Sequence, residues 1–165
     1  MLPSIGVKCL SYPASVSDSN FASIISFITS VIAHLNTKPS PPSFKGETLC
    51  HVASWLGRHT ALRLLQRLGA DVNAKDDTGS IPVFDACWKN HGKTVEALVD
   101  MGANLKAVGE DGYTAIMWAS TKGNIEIVQF LHKCKAELDM CGQSGTAMHA
   151  AALGGHVEML EVIYN

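Results

Sequence analysis

The sequence predicts an all-α fold in which similar helical units stack into a solenoid. The first observation is the even spacing of four glycines, at Gly46, Gly79, Gly112 and Gly145. The second is that the units contain short stretches whose apolar residues follow helical spacing. The third is a composition with 47% hydrophobic and 17% charged residues, which allows a buried core. Self-similarity at a fixed period of roughly 33 residues is typical of stacked-repeat proteins.

The first unit shows the internal order of a repeat. Thr48 is expected to cap a short helix, because its hydroxyl can accept a hydrogen bond from a first-turn amide. Gly57 ends that helix, and a second helix is predicted over residues 60–68 with its leucines on one face. Gly69 then acts as a left-handed stop. The polar, turn-rich residues 70–79 predict a projecting, hairpin-like loop.

Three segments, at residues 48–53, 69–74 and 150–158, resemble the ankyrin-repeat motif. The resemblance covers residues 46–165 and implies about 3.5 repeats. The repeat boundaries that it implies are 46–78, 79–111, 112–144 and an incomplete 145–165. It also implies antiparallel helix pairs, loops at right angles to the helices, and a concave face that binds other proteins. Function varies widely within such a family.

The repeats depart from the motif in different ways. Repeats 1 and 4 keep its threonine and its histidine (His51 and His149), which in the family join loop to helix by a hydrogen bond. Repeat 3 has Met117 at the histidine position. Repeat 2 has lost both residues, and Ile81 cannot cap, so we predict that its first helix has the weakest start. In repeat 3, Lys135 replaces the closing glycine, and we expect that turn to be made differently.

Residues 1–45 are expected to lie outside the regular array. Residues 1–15 are predicted to be disordered. Residues 16–45 are predicted to form a capping helix or a degenerate repeat, followed by a proline-rich linker. Apolar residues of this segment lie one repeat period before apolar residues of repeat 1, and this agreement reflects either a degenerate repeat or chance. The uncharged run 21–35 is shorter than the roughly 20 apolar residues of a membrane-spanning helix, which favours a packed helix over membrane contact.

Candidate binding residues lie on the outer side of the first helices and on the loop tips. Trp55 and Trp88 are one repeat period apart and are predicted to stand side by side, and tryptophan is a favoured interface anchor. The alternative is that these rings fill gaps between repeats. The acidic loop tips either attract a basic segment or are ordinary turn formers. The predicted partner-binding residues are Trp55, Leu56, Trp88, Lys89, Tyr113, Trp118, Lys122, Asp77, Glu110 and Asp111.

Composition and motifs argue against several other function classes. Thirteen Lys and Arg against fifteen Asp and Glu give a net charge of −2, which disfavours nucleic-acid binding. Five irregularly spaced cysteines are typical of reduced thiols in an intracellular protein, either cytoplasmic or nuclear. No Cys-x-x-Cys pair or phosphate-binding loop is present in the sequence. We therefore expect no metal and no cofactor.

Cys87, Asp85 and His91 are close in sequence and provide the residue types of a nucleophile, an acid and a base. Residues on one short helix do not form a pocket by themselves, so we expect no enzymatic activity. The leading hypothesis is a non-enzymatic module that binds a protein or peptide on its concave face and loop tips. The alternative is a regulatory or targeting segment of a larger enzyme or membrane-associated protein, because repeat 4 stops inside its second helix.

Overall fold

The computed structural model describes residues 46–139 and 145–164, together with the single position 26. These residues form helix pairs, and the described ranges contain no β-strand. The pairs are α1 (Leu49–Trp55) with α2 (His59–Arg67), α3 (Pro82–Trp88) with α4 (Gly92–Asp100), α5 (Ala115–Thr121) with α6 (Ile125–Lys133), and α7 (Ala147–Gly154) with α8 (Val157–Tyr164). The predicted all-α repeat fold is confirmed. Helix α2 begins and ends one residue earlier than the sequence pattern predicts.

The core follows the repeat period. Each first helix contacts the first helix of the next repeat, and each second helix contacts the next second helix. Small side chains at the centre of the first helices let the backbones approach closely, and they are fully buried: Ala53, Ala86, Ala119 and Ala151. The second helices contribute buried leucines to the same core, at Leu65, Leu98 and Leu131. Each such leucine contributes about 1.5–3 kcal/mol of burial free energy.

The loops between repeats are held by short hydrogen bonds around one carboxylate. Asp76 Oδ1 accepts hydrogen bonds from the amides of Thr78 and Ser80, both at 2.8 Å. The amide of Asp76 donates to the Ser80 carbonyl at 2.9 Å, which closes the loop. The amide of Glu110 in the next loop donates to the Thr78 carbonyl at 3.3 Å. Adjacent loop tips are therefore joined to each other as well as to their own helices.

Threonine and histidine open the first helices of repeats 1 and 4. The Thr48 amide donates to His51 Nδ1 at 3.1 Å, and the Thr146 amide donates to His149 Nδ1 at 3.3 Å. These contacts have the role that the family resemblance implies. In repeat 2, Ile81 makes no side-chain capping bond, and Pro82 begins the helix. That this helix has the weakest start stays a prediction.

A ladder of side-chain hydrogen bonds connects successive repeats. His91 Nε2 donates to the Trp55 carbonyl at 3.1 Å, and Asn124 Nδ2 donates to the Cys87 carbonyl at 2.8 Å. His156 Nε2 donates to the corresponding carbonyl of α5 at 3.0 Å. The accepting carbonyls belong to the last turn of a first helix, where no backbone partner remains within the helix, although the Cys87 carbonyl also accepts from the Asn90 amide at 3.3 Å. Each repeat therefore completes the hydrogen bonding of the one before it.

The turn that closes repeat 3 corrects a prediction. The sequence suggests that Lys135 changes this turn, but it adopts φ +67°, close to the φ of +87° at Gly69 and +85° at Gly102. Its amide donates to the His132 carbonyl at 2.9 Å, as the amides of the two glycines donate to carbonyls three residues earlier. The hydrogen bonds at the end of the helix therefore fix the left-handed conformation at this position, whichever residue occupies it. The left-handed conformation costs a residue with a Cβ atom about 1–2 kcal/mol.

Two parts of the sequence-based interpretation are not tested. The predictions for residues 1–45 lie outside the described residues, apart from position 26, which is helical. The division of the chain into domains therefore stays a prediction. Within the described ranges, no helix is long and apolar enough to cross a membrane.

Replacing Lys135 with glycine is expected to raise the free energy of unfolding by about 1 kcal/mol, because glycine tolerates a positive φ. The matched change Gly102→Ala should lower it by about 1 kcal/mol. No atom lies within 4 Å of the place where an alanine Cβ would stand at Gly102, so only backbone strain acts there. Urea unfolding measures both values. If K135G is no more stable than the wild type, Lys135 does not strain the backbone at its positive φ.

Replacing Asn124 with alanine is expected to lower the free energy of unfolding by about 0.5–1.5 kcal/mol, because it removes the 2.8 Å hydrogen bond to the Cys87 carbonyl and leaves the Asn90 amide, at 3.3 Å, as its donor. Asn124 is buried, and its side chain bonds to the preceding repeat. Gln129→Ala, an exposed change on helix α6, which Asn124 precedes, is the control and should have little effect. Equal stability of the two variants in urea would show that the ladder contributes nothing.

Candidate functional site

An open groove of about 630 Å³ crosses the first helices and loop tips of repeats 1 to 3. Its wall combines aromatic rings, hydroxyl groups and carboxylates, and none of the described residues that line it is basic. The lining residues are Trp55, Thr78, Ser80, Phe84, Asp85, Trp88, Gly109, Glu110, Asp111 and Trp118. An apolar wall with a few polar groups is the usual composition of a binding site.

The aromatic rings of the groove are packed in part against one another. Trp88 and Trp118 meet edge to face, with ring centroids 4.7 Å apart and an interplanar angle of 87°. Tyr113 stacks on Trp118 at 4.5 Å and 25°, and it supports the groove from outside the lining. These three rings and Trp55 are all partly buried. Each ring therefore contributes to packing, and the three indoles also reach the groove.

Two lysines of the chain lie over the indole rings. Lys89 Nζ is 3.7 Å from the centroid of Trp55, and Lys122 Nζ is 3.3 Å from the centroid of Trp88. Each lysine belongs to the repeat that follows the repeat of its tryptophan. A cation over an indole face is attracted by the negative potential of the ring. The faces of Trp55 and Trp88 thus accept ammonium groups in this structure.

Carboxylates are crowded at one end of the groove. Burial raises the pKa of Asp85 well above its ordinary value, and the charges of Glu47 and Asp76 add to the effect, while Lys89 opposes it. Burial and then Asp76 raise the pKa of Glu47 to about 7. No hydrogen bond joins the Asp85 carboxyl group to another residue of the described ranges. A cation placed here would lower both pKa values.

The predicted site residues fall into three sets. The three tryptophans and two of the acidic residues, Glu110 and Asp111, line the groove. The two lysines and Tyr113 contact the rings from outside the lining. Leu56 is partly buried after α1 and Asp77 is exposed, and neither lines the groove. Sequence reasoning missed Asp85 and Phe84 as groove residues. The spacing of Asp85, three residues before Trp88 on one helix, is the signal that could have found it.

The arrangement gives no support to a catalytic cysteine. Cys87 is fully buried, and burial followed by Asp85 raises the pKa of its thiol, whereas a nucleophilic cysteine needs a lowered pKa. Burial likewise raises the pKa of Cys50 to about 11. His91 is engaged with the Trp55 carbonyl in the ladder. Among the residues that the structure describes, no group of three His, Cys, Asp or Glu side chains is placed to hold a metal ion.

Asp85→Asn is expected to raise the melting temperature at pH 8. A raised folded pKa contributes stability that is complete below the unfolded pKa, near 3.8, and is lost as pH rises through the folded pKa. Asparagine is never charged, so its advantage over aspartate should grow from pH 4 to pH 8. Thermal melts at several pH values measure the difference in melting temperature between D85N and the wild type, with Glu126→Gln on α6 as the control.

His51 acts in the opposite sense. Burial lowers its pKa from 6.5, so its contribution is lost as pH falls below that value. Each variant is therefore compared with the wild type at the same pH. An advantage of D85N that is constant with pH would contradict a raised pKa at Asp85.

Comparisons with known proteins agree with this architecture. The matching relatives include Ankyrin repeat domain-containing protein 63 of Homo sapiens, 32% identical over 100 residues, which are 58% of this chain and 26% of that protein. Protein fem-1 homolog A-like of Mus musculus is 32% identical over 94 residues, 57% of this chain and 14% of that protein. Tyrosine-protein kinase HTK16 of Hydra vulgaris is 30% identical over 98 residues, which are 58% of this chain and 13% of that protein.

The matched stretch spans about a quarter or less of the length of each of these relatives. Two family models also match the chain. Residues 83–165, half of the sequence, match the family described as Ankyrin repeats (3 copies), and residues 45–77 match the family described as Ankyrin repeat. Proteins of this kind generally mediate protein–protein interactions and are generally non-catalytic. This chain belongs to the ankyrin-repeat family.

Proposed function

We propose that this chain is a non-catalytic interaction module that binds a protein or peptide in the groove of repeats 1 to 3. The observation that carries the proposal is the meeting of three indole rings and three carboxylates along one open groove. Tryptophan is enriched among residues that dominate binding energy, because it buries a large apolar area and keeps one N–H for a partner. The family relationship supports the same class of function.

The groove suits a protein or peptide segment better than other ligands. It is open and spans three repeats, so a bound segment could contact several helices and loop tips at once. Carboxylates line it, and the described lining has no basic side chain, whereas nucleic-acid sites use lysine and arginine against phosphates. We therefore place the partner interface here, and we propose no cofactor.

Within this interface, we propose different roles for the predicted residues. The three tryptophans form its centre, and the acidic loop residues form a polar rim with its edge at Asp77. Tyr113 supports Trp118 from behind. Lys89 and Lys122 cover ring faces, and Leu56 lies at the edge of the helix row. Rim charges mainly affect the association rate and specificity.

A second candidate is a regulatory or targeting segment of a larger enzyme or membrane-associated protein. The similarity to Tyrosine-protein kinase HTK16, of which the matched region is 13%, favours this reading over an isolated module. In either case the chain itself binds and does not catalyse. We also propose an intracellular location, cytoplasmic or nuclear, since Cys50, Cys87 and Cys134 are free thiols.

Replacing Trp55 and Trp88 together with alanine is expected to reduce partner capture by about tenfold or more, because two central anchors are lost. Capture from an isotope-labelled lysate compares the wild type, the double variant and a matched control. The control is Glu96→Ala with Gln129→Ala, two exposed second-helix residues.

Partners that bind the wild type and the control, but not the tryptophan variant, support the groove. Equal capture by all three proteins would contradict it. Melting curves separate binding from packing. A loss of more than about 8 °C in the tryptophan variant would favour the interpretation that these rings fill gaps between repeats.

A further inference from the structure

We infer that the groove recognises a lysine side chain on the partner segment, holding its ammonium group between the indole rings and the carboxyl group of Asp85. The inference rests on the proposed function and adds the chemistry of the partner. It makes the partner a basic segment, and it gives Asp85, absent from the sequence-predicted set, the central polar contact.

The aromatic wall is the first support. Indole rings are the strongest aromatic partners of cations, and the interaction is larger where water is excluded. The chain already places ammonium groups over two of these rings, with Lys89 on Trp55 at 3.7 Å and Lys122 on Trp88 at 3.3 Å. Trp118 also lines the groove; Tyr113 stacks on its ring, and no cation–π contact of a lysine with this ring is seen among the described residues. The ammonium group of a partner lysine would therefore contact indole rings of the same type as those that contact lysines of this chain.

The charge of the wall is the second support. Three carboxylates line the groove: Asp85, Glu110 and Asp111. Asp76 and Glu47 lie close enough to raise the pKa of Asp85. The nearby lysines contact the rings and do not line the groove. A basic segment would thus meet net negative charge, while an acidic one would be repelled.

Asp85 itself is the third support. Its carboxyl group sits at the groove wall and accepts no hydrogen bond from the described residues, although burial of a carboxyl group is unfavourable unless it is paired. Buried polar groups without a partner occur at binding sites, where they lower the stability of the free protein. An ammonium group from a partner would supply the missing donor and the opposite charge. A charge-assisted hydrogen bond is about twice as strong as a neutral one.

Lys89 determines how much room a partner cation has. It is the lysine whose charge acts on Asp85, and it lies over Trp55 at the same end of the groove. A partner ammonium group must share this region with it, and like charges disfavour each other. Removing the charge of Lys89 should therefore strengthen the binding of a cationic partner. It should weaken the binding of an acidic one.

The probe is a short dye-labelled peptide of glycine and serine with lysine at every fourth position. A second peptide with norleucine in place of lysine keeps the apolar chain and removes the charge. The lysine peptide is expected to bind the wild type about tenfold more tightly by fluorescence anisotropy. D85N should lose about that factor, and E126Q should not.

Two further arms test the electrostatics. K89Q should bind the lysine peptide more tightly than the wild type, while K133Q, an exposed change on α6, should not. Binding should strengthen as the pH rises from 4 to 8, because the pKa of Glu47 is raised to about 7 and burial raises the pKa of Asp85 above its ordinary value, so both groups gain negative charge toward higher pH. Asp76 and Lys89, the other charged groups at this end of the groove, are unchanged in D85N, so they do not account for a difference in pH dependence between D85N and the wild type. D85N should reduce the pH dependence.

Each contrary result overturns the inference. Equal binding of the two peptides would leave peptide binding in place but remove the role of the lysine. Unchanged affinity of D85N, or weaker binding by K89Q, would place the cation elsewhere. Failure of both peptides to bind would reject lysine recognition, while the capture experiment with the tryptophan pair still decides the proposed function. Because D85N is expected to be at least as stable as the wild type at pH 8, misfolding cannot imitate its loss of binding.

Discussion

Burial of the apolar side of each helix pair against the next pair holds the whole array together. A single pair of helices of 7 and 9 residues, such as α1 and α2, is too short to be stable alone in water. Stacking removes this limit, because the fully buried alanines of neighbouring first helices bring the backbones together. The histidine and asparagine ladder then satisfies carbonyls that a helix end leaves open.

The same stacking builds the groove. A residue and its equivalent in the next repeat become neighbours although a full repeat separates them in the chain. Trp55 and Trp88 thus enter one wall, and a lysine from the following repeat reaches each ring. The hydrogen bond between the loop of Thr78 and that of Glu110 holds the acidic tips beside these rings. The proposed interface and the scaffold are consequently one arrangement, and the rings belong to both.

At Asp85 the proposed binding role and the stability of the fold oppose each other. Burial withdraws it from water and its neighbours Glu47 and Asp76 carry the same charge, so its pKa is raised and its ionised form is less favourable than that of an exposed aspartate. Asp76 avoids this cost because three hydrogen bonds from its own loop reach its carboxylate. Asp76 and Asp85 are nine residues apart in the chain, and the contrast separates a carboxylate held by its own loop from one that we propose meets a partner.

The order of residues along the chain is enough to specify the repeat period, the helix pairs and Thr48 as a helix start, and the family resemblance adds the role of His51. These features depend on residues near one another in the chain and on a spacing that can be read directly. The same pattern indicates the tryptophans and the acidic loops as candidates. The structure, in contrast, was needed to show that Lys135 keeps a left-handed turn, which hydrogen bonds at the end of its own helix hold. Packing between repeats was needed to show that Asp85 lines the groove and that His91 donates to the preceding repeat. These outcomes depend on which side chains and carbonyls meet in space, and a linear pattern does not specify that geometry.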